Sequence, residues 1–309
     1  MFFVLFSACF SQFFALGENY SVETNVVVRN TNFISLSGTN GGGVYYENEG
    51  GKITLISCFF HLCQASNDGG GVFLTSSDMI FESLCFCKCK SANRGDAARC
   101  YSTNMSSFLT SISLCPISMA GSTTNSIQYW GNNIVVSNLN SSYNQIYRGQ
   151  YIFTYANAFG EIKYFTFIGG NSTEGASMNV HGSPTQYSFS KGNILNTTTK
   201  ELYGLLWTNN NCRNLVVSDT MFIKISGTAP LVKCNTDLAS LAKLVRCQIE
   251  YPSSLIGGAP TASCVFATIA ITNNLKHLNS WECMNDQYYT YYLKPSFGLY
   301  ILFFILTIF

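Results

Sequence analysis

The feature that most constrains this chain is self-similarity at a period of about 27 residues. Gly41-Gly42-Gly43-Val44-Tyr45-Tyr46 recurs as Gly69-Gly70-Gly71-Val72-Phe73-Leu74, a shift of 28, and a degenerate third copy follows at Gly95-Asp96-Ala97-Ala98-Arg99-Cys100-Tyr101. Between these copies lies a second block at 53–60, with counterparts at 79–86 and 108–115. Short runs at 134–139, 162–167, 186–190, 214–219 and 243–248 keep the rhythm with less identity. Each run is β-branched or aromatic and is bounded by Asn, Gly, Ser or Thr, the pattern of strands joined by turns. A period in the twenties with several short strands per repeat specifies a solenoid. A leucine-rich repeat shares the period but needs Leu-x-x-Leu-x-Leu and usually a helical segment, and neither recurs. The expected fold is therefore all-β: a right-handed parallel β-helix in which equivalent strands stack at ~4.8 Å. Dividing residues 18–285 by the period gives roughly ten coils. Turns in such a coil need tight or left-handed backbone, which Gly and Asn accept at low cost. One segment departs from the pattern: Asp237 to Arg246 carries apolar residues at helical spacing and reads as a short helix within a loop.

The cysteine spacing follows the same rhythm. Cys58 and Cys85 stand one period apart, as do Cys63 and Cys89, and Cys89 and Cys115, so one turn of a coil would bring these thiols close together. Whether they bond or only pack is left open by the spacing. In Cys85-Phe86-Cys87-Lys88-Cys89, an extended strand would put three thiols on one face at ~6.8 Å intervals. That suits neither disulfides among themselves nor a zinc knuckle, so these are read as core residues or partners of a neighbouring strand, and no metal is expected.

Charge excludes several function classes. Seventeen basic residues against 16 acidic ones leave a net charge of +1, with no surplus to neutralise phosphates, so no nucleic-acid partner is expected. Aromatic content of 15% argues against disorder. Residues 1–17 are apolar and end in Ala15-Leu16-Gly17, the layout of a secretory signal peptide; an apolar first strand is the alternative. At the other end, 286–309 reads as a membrane-attachment segment: a short helix with Lys294 at its border, a lipid-anchor signal, or a core element. The ectodomain would then be 18–285, on the secretory pathway and displayed at the cell surface. Sequons at Asn19, Asn104, Asn140, Asn171 and Asn196 are compatible with export.

Candidate chemistry is sparse. His61, His181 and His277 are isolated from one another in sequence. Gly41–Gly43 lacks the Gly-Lys-Ser/Thr of a phosphate loop, and no Gly-x-Ser-x-Gly elbow occurs. Asp68 and Asp96, about one period apart, could stack as a carboxylate pair, though Asp68 precedes a Gly run as Asn40 does and so also reads as a turn residue. Trp130, Trp207 and Trp281 could stack on sugars or fill the core.

The Gly-Gly-Gly-Val copies and the Phe-to-Asn blocks (Phe60 to Asn67, Phe167 to Asn171, Phe189 to Asn193) resemble the Gly-Gly-Ala-Ile and Phe-x-x-Asn repeats of polymorphic outer-membrane proteins, and more closely the protist surface proteins that share them. Here Phe-x-x-Asn occurs only with altered spacing. The resemblance covers roughly 25–270 and implies a pectin-lyase-like β-helix, exported, membrane-attached and acting in adhesion. The same fold hosts polysaccharide hydrolases and lyases. Asn235-Thr236-Asp237 and His181-Gly182 look like fragments of the hydrolase set, but in reversed order and without its Asp-Asp pair. The expectation is a non-enzymatic surface solenoid that meets a partner protein or glycan, with no catalytic residues and no cofactor. The alternative is a polysaccharide lyase or glycoside hydrolase on the same scaffold.

Overall fold

The computed structural model describes residues 14–16, 25–115, 125–146, 150–172, 178–182, 186–199, 204–208, 214–234, 242–257, 259, 261–267 and 273–275. Every strand pairing among them is parallel, and the chain winds into a parallel β-solenoid of the right-handed type. Three sheets run along its axis. On the first face, 44–48 is followed by 72–76, 98–102, 127–131, 152–156, Met178–His181, Leu206–Thr208 and Val232–Cys234. The second face begins at Asn25–Arg29 and ends at Thr261–Ala262. The third runs from Asn32–Ile34 to Val265–Phe266. In the middle coils one long strand, such as Val72–Cys87 or Ala98–Ser113, bends through all three.

The register confirms the period and corrects its details. Val44 sits beside Val72, a shift of 28, and Val72 beside Ala98, a shift of 26. The solenoid makes about seven turns, not ten. The ends hold incomplete rungs: Thr261–Ala262 stacks directly on 244–245, a step well short of a full period, and has no first-face strand with it among the described residues. The third copy of the second block is also offset. Phe108 pairs with Glu82 and is exposed, while Met105 takes the inward place beside Met79. Matching aromatic to aromatic missed this because inward positions tolerate Met and Phe alike. Ala242–Val245 is a strand on the second face, so the helical reading of 237–246 fails there, and 237–241 lie outside the described residues. Phe14–Leu16 pairs with Val44–Tyr46 and extends the first face; the rest of 1–17, and all of 286–309, lie outside the described residues.

The core is a set of ladders. Phe33, Phe60 and Phe86 stack at 4.7 Å between successive ring centroids, nearly parallel and almost fully buried. Each coil therefore buries an aromatic ring only because the next coil covers it.

The corners hold the explanation of the cysteines. Between the second and third faces each rung, the incomplete ones at the ends included, turns on one left-handed residue, at Asn30, Ser57, Ser83, Leu109, Asn138, Tyr164, Lys191, Asp219, Arg246 and Ser263. A second such row follows the third face, with Ser35, Leu62, Lys88, Leu114 and Tyr143 among its members. These are largely not the Gly and Asn expected at turns. A left-handed non-glycine residue costs ~1–2 kcal/mol. The cost is offset because its N–H donates to a carbonyl of the next coil, as Ser57 does to Glu82 at 2.8 Å and Leu62 to Cys87 at 3.0 Å. The residue after the corner turns inward and is often Cys or Thr. Thr31 donates to the Arg29 carbonyl at 2.9 Å and Thr220 to that of Ser218 at 2.9 Å. Cys58, Cys63, Cys89, Cys115, Cys247 and Cys264 stand in the same place, with Sγ 3.4–3.7 Å from the carbonyl two residues back. Burial pushes the Cys58 and Cys247 thiols up to about 12, so they stay protonated and can donate.

Candidate ligand-binding face

The first face carries an outward row of aromatic residues. Side chains at alternate positions point away from the core, and in seven successive coils at least one of these is a ring: Tyr45, Phe73, Tyr101, Trp130, Tyr155, His181 and Trp207. Phe153, beside Tyr155, makes the fifth coil doubly aromatic. Ring centroids follow one another at 5.6, 6.1, 5.7, 4.7, 6.4 and 4.9 Å. The stack is not uniform. Trp130 lies 8° from the Tyr155 plane, but Tyr101 is tilted 55° from Phe73, and Trp207 stands 64° from His181.

Polar groups are set between the rings. Arg99 reaches over the rings of Phe73 and Tyr101, its carbon 5.9 and 5.1 Å from their centroids, and is ion-paired to Asp68 and hydrogen-bonded to the Tyr101 hydroxyl. In the next coils Arg99 is followed along the sheet by Gln128, Phe153 and Asn179. Arg99 Nε, Asp68 Oδ1, Gln128 Oε1, Trp130 Nε1 and Asn179 Oδ1 are buried and have no hydrogen-bond partner among the described residues. Gln128 is 3% exposed and Asn179 1%. Buried polar atoms are normally paired, because leaving one unmade costs ~1–3 kcal/mol. Their burial shuts these atoms off from solvent, so the outward rings are what this face presents to a ligand. His181 is held neutral here, its pKa lowered to about 4 by burial among Phe153, Tyr155 and Trp207.

The residues singled out in the sequence distribute unevenly. Trp130, Trp207 and His181 come together in this row; His61 stacks on Phe59 on the third face at 5.7 Å. His277, Trp281 and 235–237 lie outside the described residues. Asp68 and Asp96 do not stack: Asp68 bridges to Arg94, and Asp96 replaces Gly70 one coil on. The local shift is 26 rather than 28, which separates them. Asp96 points inward, accepts from the Ser91 N–H at 3.0 Å and hydroxyl at 3.3 Å, and is pushed up to about 8 by burial. Cys58 does not meet Cys85 either, since Cys85 pairs with Phe59 and faces outward. Nor do the three thiols at 85, 87 and 89 share a face: left-handed Lys88 turns Cys89 into the core. Sequence reasoning missed Tyr45, Phe73, Tyr101, Arg99, Gln128 and Tyr155. A signal was there, since aromatic residues at 45, 73, 101, 130, 155, 181 and 207 (His at 181) recur once per coil.

No group of three or more His, Cys, Asp or Glu that could hold a metal, and no helix long and apolar enough to cross a membrane, occurs among the described residues. No family model matches the chain, and no curated protein matches it.

Proposed function

We propose that this protein is a non-enzymatic, cell-surface β-solenoid that binds a weakly charged glycan chain along its first face. The observation that carries the reading is the outward aromatic row, one ring or more in each of seven successive coils. Its rung spacing of ~4.8 Å is close to the length of one sugar ring, so a linear glycan laid along the axis would meet a new ring at each residue. Rings would stack on C–H faces of the sugar. The resemblance of the Gly-Gly-Gly-Val copies to the repeats of polymorphic outer-membrane proteins supports an adhesin of the pectin-lyase-like group. Export and membrane attachment through 286–309 complete the proposal; deleting 286–309 should release the protein into the medium, and retention on cells would defeat that part.

The test of binding is a glycan array probed with the full ectodomain, then calorimetry on the best hit. Trp130→Ala and Trp207→Ala should each weaken binding by about tenfold or more, leaving the β-sheet circular dichroism intact. Absence of any glycan hit, or unchanged affinity in both variants, would sink the proposal. The enzyme alternative draws on Asp68 and Arg99, which stand on this face. Turnover on a polyuronide panel, lost in Asp68→Asn, would favour it.

A further inference from the structure

The last rung of the solenoid is loosely held. Thr261 and Ala262 pair with Leu244 and Val245, and Val265 and Phe266 with Gln248 and Ile249. Where the chain turns between them, the Arg246 N–H donates to the Ala262 carbonyl at 2.8 Å and the Val265 N–H to the Cys247 carbonyl at 2.9 Å. Among the described residues no strand lies on the far side of this rung, and Thr261, Ala262, Ser263, Val265 and Phe266 are all exposed. A terminal rung with one sheet edge open and few buried contacts opens more easily than the coils inside it.

One of its side chains turns inward. Ser263 takes the left-handed corner, and Cys264 packs against the core in the place that Cys247 holds one rung earlier. Cys264 Sγ lies 3.4 Å from the Leu244 carbonyl oxygen, and Cys247 Sγ lies 3.5 Å from that of Val217, on which Leu244 stacks. The two thiols are therefore stacked, near enough to hydrogen-bond to each other. Stacked rungs stand ~4.8 Å apart, inside the range of about 4.4–6.8 Å between the Cα atoms of bonded cysteines. Cys63, Cys89 and Cys115 form a similar ladder, but they are at most 1% exposed and so closed to any oxidant. Cys247 is fully buried, whereas Cys264 is half-buried on the open rung. Among the described residues, this is the stacked pair of which a reagent in solution can reach one sulfur.

We infer that Cys247 and Cys264 close into a disulfide that locks the last rung onto the solenoid. The Cys264 sulfur, having lost its proton, attacks one sulfur of a disulfide oxidant such as oxidised glutathione and releases one glutathione thiol. The Cys247 sulfur, giving up its own proton, then displaces the second glutathione. The two cysteines lose two electrons and two protons, and the oxidant leaves as two glutathione thiols. The bond closes the segment 247–264 on itself and so restricts opening of the rung. The lock requires nothing of the ligand face. The experiment treats the reduced, folded full chain with oxidised glutathione, then applies non-reducing peptide mapping and amide hydrogen exchange. A peptide pair joining Cys247 to Cys264, lost on reduction, is the expected result, with Cys63, Cys89 and Cys115 still free. Exchange at the Val265 amide should slow by about tenfold or more. Cys264→Thr keeps the hydrogen bond that Thr31 and Thr220 make at equivalent corners, so it should fold, and its exchange at Val265 should be insensitive to the oxidant. Cys247 or Cys264 joined to any other cysteine, both left free, glutathione left on Cys264, or exchange at Val265 unchanged once the bond has formed, overturns the inference.

Discussion

Two buried titratable residues set the pH response of this protein in opposite senses. Folding raises the Asp96 pKa to about 8, so the native state holds its proton more tightly than the unfolded chain does. Its contribution is fully present below ~4 and is lost as pH rises towards 8, on the order of 5 kcal/mol at most. His181 is depressed to about 4, so its contribution is present above ~6.5 and lost on acidification through 4, on the order of 3 kcal/mol. The two slopes oppose each other between ~4 and ~6.5, and of the two only Asp96 acts between ~6.5 and ~8. Urea unfolding midpoints should therefore change little from pH 5 to 6 and fall from pH 6.5 to 8. Asp96→Asn keeps the acceptor for Ser91 and should abolish the alkaline fall; a fall that persists in the variant would show that another group governs it. Glycine is decisive at one neighbouring place. A Cβ on Gly70 would sit 2.2 Å from the Asp96 carbonyl oxygen and 2.4 Å from that of Lys90, both backbone. Gly70→Ala should cost ~3 kcal/mol or more by chemical denaturation, while Gly50→Ala, with no neighbour nearer than 3.8 Å, should be close to neutral.

At the scale of elements, ladders and corners divide the work. The Phe33–Phe60–Phe86 stack supplies burial, and Phe60→Ala, which removes its middle ring, should cost ~3–5 kcal/mol in denaturant titration. The corners supply direction at a cost in backbone strain. Lys88 is exposed and left-handed, with its N–H bonded to the Ser113 carbonyl at 3.1 Å. Lys88→Gly should therefore leave stability unchanged or raise it by up to ~1 kcal/mol; a marked loss would mean the side chain packs usefully. The sequence carried the strands legibly, because inward Val, Ile, Leu and Phe alternate with polar residues. Corners at Leu62, Leu109 and Tyr164 were not legible, since the backbone bond to the next coil, and not the side chain, makes a left-handed conformation tolerable there. The ligand face was half legible for a related reason. Its tryptophans drew notice one by one, but whether rings a period apart meet depends on local insertions, and these move Phe73 beside Arg99 rather than Tyr101.

For the whole molecule, the unit of construction is the coil. Residues 72–97 span one coil, and Ala98 occupies the position of Val72 one step on. Deleting 72–97 should therefore give a protein one turn shorter that still unfolds cooperatively. Removing only 72–84 should leave it unfolded, because that half-turn would bring third-face residues 85–87 against first-face neighbours. Failure of the first deletion, judged by β-sheet circular dichroism and thermal melting, would show that the coils are not interchangeable. The placement of Cys and Thr at equivalent corners has a different consequence. Either side chain can return a hydrogen to the carbonyl just passed, so selection has little reason to distinguish them there. The abundance of sulfur in such a chain is then a matter of drift, and a cysteine tally, so often taken as a count of cross-links, would track ancestry more closely than it tracks shape.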